Sequence, residues 1–178
     1  SALLNEELKA AGFSIESGVA GMPTAFIASH GSGYPVIGIL AEFDALPGLS
    51  QDAVPERSPI IEGGAGHACG HHLFGVGSVA AAIAVKEWLE ETGQDGTIRL
   101  YGTPAEEGGN NCGKIILLEK CAFDVCHSAI MVHPSPYEMT TPKVIATSMF
   151  EVAYTGKAAH ASSFPELGIN AADALTIA

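Results

Sequence analysis

Apolar positions along the chain alternate between strand-like and helix-like patterns. Runs 24–29, 35–43, 96–103 and 128–133 are rich in aliphatic residues and predict strands. Residues 3–11, 72–92 and 112–120 predict helices, the second of them long and largely buried. The Gly-rich stretch 30–34 predicts a hairpin between the first two strands. The order of elements predicts an α/β fold with a mostly parallel sheet flanked by helices.

The pattern changes near Pro142. Residues 144–155 alternate as a half-exposed strand does, and 165–178 predict a helix that follows a stretch rich in Gly, Ala and Ser. We therefore expect two domains, residues 1–142 and 143–178. One strand and one helix are too few to bury an apolar face, so we expect the chain to be truncated or to need a partner.

The composition argues against some classes of binding partner. The 178 residues carry 8 Lys and Arg against 20 Asp and Glu, a formal net charge of −12, which opposes binding to nucleic acid or to anionic lipid. No apolar run reaches the roughly 18 residues that span a membrane, and the first residues do not resemble a secretory leader. Four unevenly spaced cysteines are typical of reduced thiols. We expect a cytoplasmic protein with no nucleic-acid or membrane partner.

Side chains suited to metal chemistry follow the predicted strands. They are Asp44 after the second strand, Cys69 and His71 in the loop before the long helix, Glu106 and Glu107 after the third strand, and His133 at the end of the fourth. Open α/β sheets place their ligands at the carboxyl ends of the strands. These residues are therefore expected to lie close together.

Each cluster also has a structural explanation. A thiolate and an imidazole are zinc ligands, yet Cys69 and His71 alone are equally compatible with a buried thiol beside a helix-capping histidine. Of two adjacent glutamates pointing in different directions, one can bind metal while the other reaches the activated water, whereas a solvated acidic loop is the plain alternative. A lone His133 is more often a hydrogen-bonded core residue. For His160, a substrate contact and a surface position both stay open.

The clusters resemble the aminoacylase and carboxypeptidase type of zinc metallopeptidase. Within that family, they are most similar to the amidohydrolase branch and its p-aminobenzoyl-glutamate hydrolase group. Five segments match in order: AEFDALP from Ala41, GHACGHH from Gly66, GTPAEEGG from Gly102, MVHP from Met131, and GKAAHASSFPELGINAADA from Gly156. Together they span most of the chain.

The resemblance implies a site for two divalent ions, zinc or manganese. It implies Cys69, His71, Glu107 and His133 as ligands, Glu106 as the general base, and Asp44 as a further carboxylate of the catalytic site outside the ligand set. The reaction would be hydrolysis of the amide bond of N-acyl or aminobenzoyl amino acids or of dipeptides. Residues 1–142 would belong to the catalytic domain. Residues 143–178 would begin a small α+β lid that also forms a homodimer, and His160 would contact substrate in the partner's site.

Two departures from the family pattern bear on activity. His72 stands where the branch usually has an aspartate. Family members also continue beyond the lid and supply a further histidine ligand that this chain lacks. The alternative is therefore a catalytically incompetent metal-binding or assembly fragment. A third interpretation makes Cys69 a nucleophile with His71 as its base, but it leaves the glutamate pair without a role.

Overall fold

Five strands form one mixed sheet in the first part of the chain. The computed structural model describes residues 1–146 and 148–178. The strands are β1 Ser14–Ser17, β2 Phe26–Ser32, β3 Val36–Glu42, β4 Gly96–Thr103 and β5 Ser128–Met131, in the order β1-β2-β4-β3-β5. Strand β3 runs parallel to β4 and β5, whereas β2 runs antiparallel to β1 and β4. The α/β class with flanking helices is confirmed, and the sheet is mixed because of β1 and β2.

The predicted hairpin over residues 30–34 is wrong. Strand β4 lies between β2 and β3, so that Tyr101 pairs with Ile27 on one side and with Leu40 on the other. Ile98, Leu100 and Tyr101 are almost completely buried. The burial of these side chains is consistent with the central position of β4 in the sheet.

Three helices accompany the sheet: α1 Ala2–Ala10, α2 His71–Thr92 and α3 Gly113–Glu119. Helix α2 packs against β3 and β4 and contributes Phe74, Val79 and Ala82 to the buried side chains. By length and composition alone, α2 also passes as a membrane span, a test that the core helices of many proteins pass too. Short 3₁₀ turns occupy Val19–Gly21 and Glu106–Asn111.

Two glycines place the first turns of α2 over the end of β3. Gly70 precedes the helix with φ +86°, a left-handed conformation that glycine adopts without strain. A Cβ added to Gly75 would lie 2.4 Å from the carbonyl oxygen of Glu42, so only glycine allows this close approach. As a result, the N-terminus of α2 meets the carboxyl ends of the parallel strands.

Residues Ser1–Val144 and Ile145–Ala178 form two compact units. In the second unit, Lys157 and Ile169 form an antiparallel bridge, and Asn170 caps α4, Ala171–Ile177. The helix predicted over 165–178 is therefore interrupted: a 3₁₀ turn, Pro165–Leu167, is followed by the extended bridge residue before α4 begins. The strand predicted over 144–155 is absent from residues 144–146 and 148–155, and residue 147 lies outside the described residues.

Candidate metal centre

The first unit brings the predicted acidic, thiol and imidazole side chains to the carboxyl ends of β3, β4 and β5. Asp44 follows β3 by two residues, His133 follows β5 by two, and Glu106 and Glu107 begin the 3₁₀ turn after β4. His71 is the first residue of α2 and is 1% exposed. Because these three strands are parallel neighbours, their loops meet at one edge of the sheet.

Asp44 holds two of these residues in place. Its Oδ1 lies 2.8 Å from Nδ1 of His71, and its Oδ2 accepts a hydrogen bond of 3.0 Å from the backbone N–H of Glu107. An ionised carboxylate only accepts hydrogen bonds, so Nδ1 of His71 carries the proton. In the neutral imidazole this tautomer leaves the lone pair on Nε2, the form in which histidine binds a metal.

Three carboxylates surround Nε2 of His71. The nearest oxygens are Oε2 of Glu42 at 3.4 Å, Oε2 of Glu106 at 3.7 Å and Oε1 of Glu107 at 3.7 Å. Nε2 of His71, Oε2 of Glu42 and Oε1 of Glu107 are buried without a hydrogen-bond partner among the described residues. Buried unpaired polar atoms cost about 1–3 kcal/mol each. A cation among these lone pairs would satisfy all three atoms, so the residues present fit a metal ion.

Cys69 and His133 extend the same site. Sγ of Cys69 lies 3.4 Å from Nε2 of His133, and Nδ1 of His133 donates a hydrogen bond of 2.9 Å to the carbonyl oxygen of Pro134. The neutral ring of His133 with this tautomer also has its lone pair on Nε2. Ligand atoms of Cys69, His71 and His133 all lie within 4.8 Å of one another, and so do those of Glu42, His71 and Glu106. The two groups share His71.

The thiol of Cys69 is poorly suited to act as a free nucleophile. Burial raises its pKa, and the neighbouring Glu107 carboxylate raises the pKa further. Reactive cysteines instead have lowered pKa values, since the thiolate is the reactive form. This environment opposes the interpretation in which Cys69 attacks substrate, and it favours a thiolate formed on binding a cation.

The two adjacent glutamates differ in exposure more than in direction. The side chain of Glu106 is 39% exposed and that of Glu107 is 21% exposed, although both reach 3.7 Å from Nε2 of His71. Ala105, just before them, has φ +58°, a conformation that L residues rarely adopt. This turn, rather than the end of a strand, aims both carboxylates at the same point.

Sequence reasoning missed Glu42 and Lys114. Glu42 ends β3, is 1% exposed, and forms an ion pair through Oε1 with Nζ of Lys114 in the first turn of α3. The segment AEFDALP could have indicated Glu42, because residues two apart on an extended chain point to the same side. Glu42 and Asp44 therefore face the site together.

His72 and His160, which the sequence singled out, lie outside these groups. His72 is exposed, and its ring centroid lies 4.7 Å from that of His67. His160 belongs to the second unit, where its Nδ1 lies 3.1 Å from Oγ of Ser162 and accepts from the backbone N–H of the same residue at 3.3 Å. Its part in substrate binding stays a prediction.

Comparison with known proteins gives consistent matches. The model of a family described as Peptidase family M20/M25/M40 matches residues 38–172. A p-aminobenzoyl-glutamate hydrolase subunit of Escherichia coli (strain K12) is 44% identical over 176 residues, which cover 98% of this chain and 36% of that protein. The Xaa-Arg dipeptidase of Mus musculus is 36% identical over 167 residues, which cover 89% of this chain and 35% of that protein.

A solved structure shares the fold. It is a Bacillus subtilis protein described as a dinuclear metal binding peptidase from the M20 family, with a TM-score of 0.62 and 26% identity. The match covers 76% of this chain and 36% of that one. The chain thus spans about a third of the length of the relatives that it matches.

Proposed function

Because this chain belongs to peptidase family M20/M25/M40, we propose that it forms the metal-binding part of an amidohydrolase. The reaction is hydrolysis of the amide bond of N-acyl or aminobenzoyl amino acids or of dipeptides. The observation that carries the proposal is the convergence, beside the Cys69–His133 pair, of buried atoms of Glu42, His71 and Glu107 that have no hydrogen-bond partner in the described part of the chain. The names of the E. coli and mouse relatives support the substrate class.

Cys69, His71, Glu107 and His133 would hold two divalent ions, zinc or manganese. Their sulfur, nitrogen and carboxylate donors suit both metals. The dinuclear B. subtilis structure supports a count of two. When bound, such ions would lower the pKa of a bound water and polarise the amide carbonyl.

Glu106 acts as the general base in this proposal. It is the more exposed glutamate of the pair, and its Oε2 lies 3.7 Å from Nε2 of His71. A carboxylate placed there can take a proton from water and deliver it to the leaving amine. Glu107 is the better ligand of the two because the bond from its backbone N–H to Asp44 holds it in place.

Asp44 positions the other groups. Its two oxygens hold the His71 ring and the Glu107 backbone, so it keeps the proton on Nδ1 of His71 and leaves Nε2 free. Loss of Asp44 would release both residues together. We therefore place Asp44 in the catalytic site as a positioning carboxylate.

We assign residues 1–142 to the catalytic domain and residues 143–178 to the start of a lid that also forms a homodimer. His160 would then contact substrate in the partner subunit's site. The cell compartment in this proposal is the cytoplasm. The separate folding unit formed by Ile145–Ala178 supports a boundary in this region.

A second candidate is a metal-binding or assembly fragment without catalysis. It is favoured by the length of the chain, which spans 36% of the E. coli relative and 35% of the mouse relative. The two candidates share the metal centre and differ in turnover.

Hydrolysis by the intact protein distinguishes them. Zinc-loaded and manganese-loaded samples would be assayed on p-aminobenzoyl-glutamate, N-acetyl amino acids and dipeptides. We expect turnover in the wild type and a loss of about 10²–10⁴-fold in Glu106→Gln, with metal content unchanged, because the variant lacks only the base. Glu91→Gln, at an exposed position near the end of α2, is the matched control and should keep full activity.

The assay can contradict either the catalytic function or the role of Glu106. Bound metal without hydrolysis of any substrate would favour the non-catalytic fragment. Full activity in Glu106→Gln would remove Glu106 from the mechanism.

A further inference from the structure

Glu42 is a buried carboxylate whose two oxygens have different surroundings. Oε1 pairs with Nζ of Lys114, whereas Oε2 has no hydrogen-bond partner among residues 1–146 and 148–178 and lies 3.4 Å from Nε2 of His71. The side chain is 1% exposed, so water cannot readily satisfy the free oxygen. A carboxylate needed only to neutralise Lys114 would not require its second oxygen to point into the site.

The contact between Glu42 and His71 is not a hydrogen bond. Nδ1 of His71 carries the proton donated to Asp44, so Nε2 presents a lone pair to a carboxylate oxygen that also presents lone pairs. With a neutral ring, such a contact is repulsive unless a cation lies between the two atoms, and neither atom has a hydrogen-bond partner among the described residues. The distance of 3.4 Å is also longer than the 2.7–3.2 Å of ordinary N–H···O bonds.

The distance between Glu42 and His71 matches that between two ligands of one ion. Zinc bonds of about 2.0–2.2 Å at tetrahedral angles place neighbouring ligand atoms about 3.3–3.6 Å apart. Oε2 of Glu42 lies 3.4 Å from Nε2 of His71, within this range. Glu42, His71 and Glu106 form one of the groups whose ligand atoms all lie within 4.8 Å of one another.

We propose that Glu42 is a further ligand of the metal centre, binding through Oε2 the ion that Nε2 of His71 binds, while Lys114 holds Oε1. The inference rests on the proposed function, because it needs an ion at this site. It adds a ligand to Cys69, His71, Glu107 and His133. The ligand atoms near Glu42 then include hard carboxylate oxygens, which suit manganese better than the thiolate of Cys69 does.

Metal titration of the intact apoprotein tests the inference. Free Mn²⁺ would be followed by electron paramagnetic resonance, and Zn²⁺ by competition with a chelating dye. In Glu42→Gln, which has nearly the same shape, we expect the Kd for Mn²⁺ to rise about 10–100-fold, and the Kd for Zn²⁺ to rise less. The visible spectrum of the Co²⁺-loaded protein should also change, because one ligand is lost.

The matched control is Glu90→Gln. Glu90 also pairs with a lysine, Lys86, but on the exposed side of α2. This control should keep the wild-type affinities and the wild-type Co²⁺ spectrum. It separates loss of an ion pair from loss of a ligand.

The titrations test the proposed function and the role of Glu42 separately. Wild-type protein that binds neither ion would defeat the proposed function itself. Unchanged Mn²⁺ affinity and an unchanged Co²⁺ spectrum in Glu42→Gln would overturn only the role of Glu42. Should that variant fail to fold, a crystal structure of the zinc-loaded wild type decides: Oε2 about 2.0–2.2 Å from the ion supports the proposal, and a separation beyond about 3 Å, the reach of a hydrogen bond, overturns it.

Discussion

His71 is the residue on which the site depends, because each of its ring nitrogens has a separate task. Nδ1 lies 2.8 Å from Oδ1 of Asp44, and Nε2 faces three carboxylates with no hydrogen-bond partner among the residues that the structure describes. His133 repeats the arrangement, with Nδ1 bound to a backbone carbonyl and Nε2 facing Cys69. Two imidazoles thus present lone pairs, and their protons are held on the opposite side of each ring.

The variant Cys69→Ser tests whether the thiol of Cys69 is a metal ligand. A hydroxyl is a harder and weaker ligand than a thiolate, so we expect zinc affinity to fall by about tenfold or more and manganese affinity to fall less. Dye-competition titration of the intact protein measures both values. Cys121→Ser, at an exposed thiol, is the control and should bind as the wild type does. Equal zinc affinity in Cys69→Ser and the control would rule out Cys69 as a ligand.

At the scale of elements, the site depends on how closely α2 approaches the end of β3. The close contact at Gly75 brings the first turn of the helix over Glu42 and places His71 between that strand and the turn after β4. The carboxyl ends of three parallel strands and one helix N-terminus thereby share a small volume. No single element carries more than part of the ligand set.

Gly75→Ala should disturb this arrangement. The added Cβ would lie 2.4 Å from the carbonyl oxygen of Glu42, so we expect a loss of about 1–3 kcal/mol in the free energy of unfolding and weaker metal binding. Gly77→Ala is the control, because a Cβ there meets nothing within 4 Å and alanine favours helix by about 1 kcal/mol. Thermal unfolding with and without zinc measures both effects. Equal stability of the two variants would contradict the close packing.

The apolar runs were enough to predict β3, β4 and α2 closely, because burial gives those elements strong patterns. Strand β1, Ser14–Ser17, was missed because it has little apolar character and is defined by its pairing with β2. The false hairpin shows the same limit: which strand lies between two others depends on contacts far apart in sequence. Glu42 was missed for a related reason, since its environment exists only once α2 and α3 pack around it.

At the scale of the whole molecule, charge and burial act together. The chain carries a net charge of −12, and four of its carboxylates meet at the metal centre. Within the described part of the chain, Lys114 is the one lysine or arginine that forms an ion pair with them. Bound cations would therefore stabilise the folded state as well as supply chemistry.

Stability at alkaline pH depends on Tyr101 in the centre of the sheet. Burial, and then its hydrogen bond with Cys126, raises the pKa of Tyr101 above the ordinary value of 10. The folded state therefore keeps the phenol proton that the unfolded state releases. The stability contributed is fully present below about pH 10, the unfolded pKa, and is lost as the pH rises above it towards the folded pKa.

Tyr101→Phe should change both the level and the pH profile of stability. It removes the hydrogen bond of 2.9 Å to the carbonyl oxygen of Ala122, so we expect a loss of about 1 kcal/mol at neutral pH and a smaller decline between pH 9 and 11 than in the wild type. Urea unfolding across that range measures the profile. Tyr34→Phe, at a tyrosine that is 75% exposed, should keep the wild-type profile. If the stability of Tyr101→Phe fell between pH 9 and 11 as much as that of the wild type, Tyr101 would not be the cause of the alkaline loss of stability.

The most direct test of the account is the metal content of the intact protein. After incubation with excess zinc and desalting, inductively coupled plasma mass spectrometry should find two ions per chain in the wild type and at most one in His71→Ala, because His71 belongs to both groups of ligand atoms. A wild type that retains no ion, or a His71→Ala variant that retains both, would contradict it.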